Sequence, residues 1–147
     1  MPTTDTPRAI EAKAALARLV RHTLEVMCFA DAELLPAAVA PANAVTACVS
    51  FSGSRLGYLQ LETEQEAAIT LTAACLGLDR SDADLGKHVD GTLEELASVV
   101  CGRVMTSLDP TARFEMRPAP ALDKANEGIQ QTFRLDFGIL RAILQLC

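Results

Sequence analysis

The stretch Asp90–Leu108, DGTLEELASVVCGRVMTSL, decides the fold. At about 100° per residue on a helix, its larger apolar side chains gather on one side, namely Leu93, Leu96, Ala97, Val100, Val104 and Leu108. The opposite side carries a stripe of small residues with one carboxylate: Gly91, Glu95, Ser98, Gly102 and Thr106. A helix back that only meets solvent usually carries several long charged side chains. The pattern therefore predicts an amphipathic helix whose second face is open to a partner.

Gly102 is an unusual choice for the middle of this helix. Glycine in a helix interior costs about 1 kcal/mol relative to alanine, so its position needs a reason. Either a neighbouring element of the same chain packs closely against it, or a partner approaches the backbone there. Gly91 lies on the same stripe, and we predict that Gly91 and Gly102 form part of a partner-binding surface.

Composition limits the possible classes of protein. The chain has 147 residues, of which 50% are hydrophobic, and this suits a single domain with one core over residues 1–147. The net charge of -6 and the lack of a basic run disfavour nucleic-acid binding. No apolar run approaches the roughly 18 residues of a membrane span, and residues 1–7 are polar. We expect a soluble, cytoplasmic protein with no membrane association and with residues 1–7 disordered.

The cysteines and histidines give no metal-binding pattern. The five cysteines are Cys28, Cys48, Cys75, Cys101 and Cys147. An odd number without C-x-x-C spacing disfavours a disulfide framework and a zinc site, so we expect free thiols that pack as small hydrophobic groups. His22 and His88 each lack a second ligand at metal spacing. No cofactor or metal of the protein's own is expected.

The first half of the chain changes from helical to strand periodicity. The spacing predicts a helix over Arg8–Met27 and, because of two prolines, a loop over Asp31–Pro41. Val45–Gly53 and Leu56–Thr63 alternate with period two around a short Gly-Ser-Arg link, which indicates a β-hairpin. Thr63 and Glu66 have capping-box spacing for a helix that ends before Gly77.

The second half adds the organising helix and more strands. A polar connector over 79–88 precedes the helix, and strands are predicted over 114–118, 131–137 and 139–146. The predicted architecture is α+β, with a layer of antiparallel strands packed against a pair of long helices.

Two stretches resemble a known family. VSFSGSRLGYLQLETEQEAAITLTAACLG (49–77) and the helix DGTLEELASVVCGRVMTSL (90–108) resemble the CheX-like branch of the CheC/CheX/FliY chemotaxis phosphatases. That family shows a strand that ends in F-S-G, a glycine-containing return strand, a helix and then a long helix with E-L-x-N-x-x-x-G. The corresponding residues here are Glu95-Leu96-Ala97-Ser98-Val99-Val100-Cys101-Gly102.

The resemblance implies docking on the phosphorylated receiver domain of a response regulator. In the family, the motif glutamate contacts the receiver's active-site lysine, and the asparagine positions the water that attacks the aspartyl phosphate. The receiver supplies Mg²⁺, so the phosphatase contributes mainly orientation. Glu95 and Ser98 are the corresponding catalytic residues here. Serine is shorter than asparagine, so the resemblance implies weak hydrolysis or none.

Alternatives remain open for this face. Thr92 and Glu95 also have capping-box spacing, so Glu95 could cap the helix, and Ser98 could be an ordinary small surface residue. Arg103 and Lys87 could offset repulsion between this acidic chain and an acidic receiver.

The protein could also be a catalytically inactive, dimeric interaction module in a two-component or chemotaxis pathway. In such a homodimer, strands could pair between chains through Phe133, Leu135, Phe137 and Ile143.

Overall fold

The computed structural model describes residues 7–147. The disorder expected for residues 1–6 lies outside the described residues, and Pro7 is the first residue of the first helix. The elements in chain order are α1 (Pro7–Cys28), β1 (Glu33–Leu34), β2 (Ala44–Gly53), β3 (Gly57–Glu64), α2 (Gln65–Leu76), a 3₁₀ turn (Leu85–His88), α3 (Val89–Leu108), β4 (Phe114–Ala119), a second 3₁₀ turn (Ala125–Glu127), β5 (Ile129–Leu135) and β6 (Gly138–Leu146).

The six strands form one sheet in the order β1-β5-β6-β3-β2-β4. Each neighbouring pair is antiparallel, and the hairpin of β2 and β3 pairs Ala44 with Glu64 and Phe51 with Gly57. Helices α1 and α3 pack against each other and against this sheet. The predicted α+β fold, with antiparallel strands and two long helices, is therefore confirmed.

The apolar stripes of the two long helices form the core with the inner face of the sheet. Buried members include Leu16, Val20 and Leu24 of α1, Leu93, Leu96, Val100 and Val104 of α3, and Val49, Leu59, Leu61 and Leu140 of the sheet. The two helices run antiparallel, because Arg8 contacts Asp109 while His22 contacts Arg103. Within residues 7–147, none of the helices is long and apolar enough to cross a membrane.

Local details differ from the sequence prediction around α2 and β1. Helix α2 begins at Gln65 after Glu64, and no side chain caps it. The predicted capping box is wrong because the Thr63 hydroxyl donates instead to the carbonyl of Ile139, at 2.8 Å across the sheet. Gly77 ends the helix at φ 66°, a left-handed conformation that glycine adopts easily. The predicted loop 31–41 contains the two-residue strand β1, which pairs with β5.

The residues expected to pair strands between chains lie elsewhere. Phe133, Leu135 and Ile143 are buried, and Phe137 is half-buried. Phe133 and Leu135 lie on β5 and Ile143 lies on β6, which are interior strands, whereas Phe137 lies in the turn between them. The expectation that these residues pair strands between chains is wrong, because β3 and β5 pair along the two edges of β6 and β1 pairs with β5 at Phe133 and Arg134. The edges of the described sheet are β1 and β4.

One pair of cysteines also differs from the expectation. Cys28, the last residue of α1, forms a disulfide with Cys75 of α2, and their Cα atoms are 4.5 Å apart. The expectation of free thiols is therefore wrong for this pair, which is 47 residues apart in sequence. Cys48 and Cys101 are buried free thiols, and Cys147 is an exposed one.

Candidate functional site

Glu95 lies on the exposed face of α3. The helix begins at Val89 after His88, and no side chain caps its first turn. Thr92 is therefore inside the helix, and the capping role considered for Glu95 is wrong. Within residues 7–147, no hydrogen bond or ion pair engages the Glu95 carboxylate. This carboxylate is free to meet a group from outside the chain.

Glu95 and Ser98 line one open cleft beside α3. The cleft has a volume of about 350 Å³, and its walls also include Val49 of β2 and Pro118 of β4. Because the two residues are three positions apart, their side chains leave the helix on the same face. Glu95 is exposed and Ser98 is half-buried. Gly91 lines the same cleft, so the structure brings Gly91, Glu95 and Ser98 together. We call this depression the Glu95 cleft.

A second depression continues from the Glu95 cleft along α3. Its volume is about 670 Å³, and it is lined by Leu19, Ser98, Val99, Gly102, Arg103, Thr106, Ser107 and Met116. Ser98 and Val99 belong to both depressions. Gly102 therefore lies in this second depression, one helical turn from Ser98. We call it the α3 trough.

Packing inside the chain does not require either glycine of the stripe. Among residues 7–147, a Cβ atom built at Gly91 meets no heavy atom within 4 Å. Within the same residues, a Cβ atom at Gly102 meets only the Met116 methyl at 3.5 Å, which is ordinary van der Waals contact. The packing explanation for Gly102 is therefore unsupported by the geometry. Close approach of a partner stays the prediction for both residues.

Two guanidinium groups lie along the seam between α1 and α3. Arg103 Nη1 contacts His22 Nδ1 at 2.8 Å and Thr23 Oγ1 at 3.4 Å. Arg18 Nη2 donates to Ser107 Oγ at 3.3 Å. Neither arginine belongs to any of the ion pairs found among residues 7–147. The seam is therefore a positively charged strip on a chain with a net charge of -6.

The contact between Arg103 and His22 has a defined donor and acceptor. Because an arginine has donors only, the ring nitrogen of His22 is the acceptor in this contact. Lys87, by contrast, is engaged with Asp84 at 3.4 Å, so of the two cations expected near α3 only Arg103 lines the trough.

Sequence reasoning missed part of this site. Leu19 of α1 and Met116 of β4 line the α3 trough, and no local pattern connects them to Ser98. The part of the chain that the structure describes holds no group of three His, Cys, Asp or Glu side chains that could bind a metal. The chemistry available at the Glu95 cleft is thus a carboxylate that can pair with a cation and a hydroxyl that can orient a small polar molecule.

The six-stranded antiparallel sheet with α1 and α3 packed against it is the α+β architecture of CheX structures. Residues 45–137 match the family described as chemotaxis phosphatase CheX. The chain belongs to this family, which confirms the resemblance inferred from residues 49–77 and 90–108. Among curated proteins, none matches the sequence.

Solved structures share the fold. CheX of Vibrio vulnificus is 14% identical with a TM-score of 0.72, and the match covers 97% of this chain and 100% of that one. CheX of Desulfovibrio desulfuricans is 15% identical with a TM-score of 0.71, covering 93% and 99%. A chain of the CheX–CheY–BeF₃–Mg²⁺ complex from Borrelia burgdorferi is 17% identical with a TM-score of 0.70, covering 90% and 96%. At these identities the likeness establishes the fold alone.

Proposed function

We propose that this protein docks through α3 on the phosphorylated receiver domain of a response regulator and hydrolyses its aspartyl phosphate weakly. The observation that carries the proposal is the Glu95 cleft, where a carboxylate without a partner among residues 7–147 stands three residues from a half-buried hydroxyl. The Borrelia burgdorferi complex, which contains CheX, CheY, BeF₃ and Mg²⁺, supports a receiver as the partner. A receiver partner also favours the cytoplasm as the site of action.

In this proposal the residues of α3 orient the reactants. Glu95 pairs with a cation beside the receiver's phosphorylation site and so fixes the register of the two proteins. Ser98 accepts a hydrogen bond from a water, or donates one to it, and this water lies in line with the bond between phosphorus and the aspartate oxygen. The water attacks phosphorus, the aspartate carboxylate leaves, and inorganic phosphate is released. The receiver would supply the Mg²⁺ that offsets the charge on the phosphoryl oxygens.

Ser98 explains why the proposed hydrolysis is weak. The family motif has asparagine at this position, and its carboxamide reaches one bond further than a hydroxyl. A water held by Ser98 therefore lies closer to α3, or is held by a longer contact. Misplacement by about 1 Å can lower a rate by about a hundredfold. Docking does not depend on that distance, so we expect the protein to bind the receiver well even though it hydrolyses the aspartyl phosphate slowly.

The test is phosphate release from Mg²⁺-loaded, phosphorylated receiver domains of the same organism. We expect the wild-type protein to accelerate release modestly and Glu95→Ala to abolish the acceleration. Glu25→Ala is the matched control, since Glu25 is also an exposed helical glutamate but lies on α1 outside the cleft. Wild-type protein that neither binds nor accelerates any receiver would contradict the proposal.

A catalytically inactive, dimeric interaction module is the second candidate function. The sheet has an exposed edge strand, β4, in which Glu115, Met116 and Arg117 are exposed. An unpaired edge can add a strand from a second copy of the chain. Light scattering at micromolar concentration should then give the mass of a dimer. This candidate would be rejected if the protein has the mass of a monomer and accelerates phosphate release from the phosphorylated receiver.

A further inference from the structure

The α3 trough has the features of a specificity pocket for the same partner. We propose that it receives an apolar side chain of the receiver domain flanked by a carboxylate, and that Arg103 and Arg18 pair with that carboxylate. This inference rests on the proposed function, because it takes the receiver to be the protein that covers the Glu95 cleft. It adds the second contact by which this chain selects among receivers.

Continuity places the trough under the same partner. Ser98 and Val99 line both depressions, and Gly102 lies four residues beyond Ser98, which is about 6 Å along a helix. A folded receiver is several times wider than that distance. A receiver whose phosphoryl group reaches Ser98 must therefore also lie over Gly102.

The floor of the trough is apolar and accessible. Leu19 of α1, Gly102 of α3 and Met116 of β4 line it, and Gly102 has no side chain to fill it. Met116 is 40% exposed, so its side chain has apolar surface that a partner can cover. An apolar side chain of the partner would remove this surface from water, which favours association.

The rim of the trough selects for negative charge. Arg103 lines the trough and contacts His22 and Thr23, and Arg18 donates to Ser107, which also lines the trough. Neither guanidinium forms an ion pair within residues 7–147. A guanidinium keeps its full charge in such contacts and has further donors for a carboxylate. A receiver that binds Mg²⁺ beside a phosphorylated aspartate is rich in carboxylates, since these are the ligands that Mg²⁺ prefers. The positive rim is complementary to such a surface.

Met116→Gln tests the apolar floor. The replacement keeps the length of the side chain but places an amide in the trough, so we expect about tenfold weaker binding to a receiver domain loaded with Mg²⁺ and beryllium trifluoride. Leu56→Gln is the control, because Leu56 is also an exposed apolar residue, at 56%, and does not line the trough. The control should bind within twofold of wild type.

Arg103→Glu tests the charged rim. At low ionic strength we expect about tenfold weaker binding, with a smaller difference at high salt because exposed charges are screened. Arg113→Glu makes the same change of net charge at an exposed arginine outside the trough, and it should change the affinity by less than threefold. Equal losses for the two reversals would show a general charge effect and overturn the role of Arg103.

The two proposals can fail separately. If wild type binds the receiver and Glu95→Ala removes hydrolysis while Met116→Gln and Arg103→Glu bind normally, the trough inference is wrong and the proposed function stands. If both trough variants bind poorly but wild type never accelerates hydrolysis, the trough inference stands and the phosphatase activity is rejected. If wild type binds no receiver, both proposals are wrong.

Discussion

Glu62 and Arg141 are Cα partners on the neighbouring strands β3 and β6, and they form an ion pair at 2.6 Å that is more than nine-tenths buried. Gln60 Nε2 donates to the second Glu62 oxygen at 2.8 Å. Arg141 Nη1 donates to Asn126 Oδ1 at 2.9 Å and to Gln130 Oε1 at 3.0 Å. This network lies on the face of the sheet opposite the helices, where it connects three strands to the segment 120–128.

Removing one charge of this pair should be severely destabilising. Arg141→Met leaves the Glu62 carboxylate buried without a counter-ion, and we expect a loss of about 3–5 kcal/mol in the free energy of unfolding. Urea denaturation followed by circular dichroism measures this loss. The double variant Arg141→Met, Glu62→Leu should regain most of it, because no charge then stays buried. A double variant as unstable as the single one would show that the hydrogen bonds to Asn126 and Gln130, rather than charge compensation, stabilise this face.

Local periodicity predicted the elements that carry the site. The stripes of α1 and α3 and the hairpin of β2 and β3 depend on spacings within one segment, and the structure confirms them. Gly91, Glu95 and Ser98 line one cleft because they lie on one helix face. Residues that share a helix face must be neighbours in space, whatever the rest of the fold does.

Contacts between distant segments could not be predicted in this way. Thr63 was assigned to a helix cap, yet its hydroxyl bonds to Ile139, 76 residues away. Cys28 and Cys75 are 47 residues apart, and their pairing depends on how α1 and α2 meet. Leu19 and Met116 reach the trough only because α1 and β4 flank α3. Each of these contacts depends on tertiary packing, which the hydrophobic periodicity of a single segment does not predict.

The disulfide between Cys28 and Cys75 should contribute to stability. A cross-link over 47 residues restricts the unfolded chain, which corresponds to about 4 kcal/mol in the chain-entropy model. At about 2–4 °C per kcal/mol, reduction should lower the thermal midpoint by about 10 °C. Differential scanning calorimetry with and without dithiothreitol measures the shift. Cys75→Ser should melt like the reduced protein and be insensitive to dithiothreitol, whereas a midpoint equal to that of the oxidised wild type would contradict this prediction.

Alkylation of free thiols provides an independent test of the disulfide between Cys28 and Cys75. With N-ethylmaleimide at neutral pH, the folded protein should be labelled only at the exposed Cys147. Burial raises the pKa of the Cys48 thiol to about 11, and burial with the neighbouring Cys48 raises the pKa of the Cys101 thiol to about 12, so both stay protonated and unreactive. In denaturant without reductant, three thiols should react. Five adducts under that condition would show that Cys28 and Cys75 are not bonded.

Gly102→Ala should separate stability from docking. The structure has room for the added methyl group, 3.5 Å from Met116, and alanine favours a helix over glycine. We therefore expect the variant to gain about 0.5–1 kcal/mol in the free energy of unfolding. Receiver affinity should fall several-fold, because the methyl group enters the trough that we propose the receiver covers. Urea denaturation and isothermal titration calorimetry measure the two effects, and a variant that is less stable, or that binds like wild type, would argue against close approach at Gly102.

Ser98→Asn should increase receiver dephosphorylation, since it restores the carboxamide of the family motif at a position that lines the Glu95 cleft. If the longer side chain places the attacking water correctly, we expect an increase of about tenfold to a hundredfold in the rate of phosphate release, with little change in affinity. Ser98→Ala removes the hydroxyl and should lower the residual rate to that of the receiver alone. Ser54→Asn, an exposed serine in the hairpin, is the control for the substitution itself. An unchanged rate for Ser98→Asn, in a variant that still binds the receiver, would mean that residue 98 does not face the phosphoryl group; the chain would then act by docking alone.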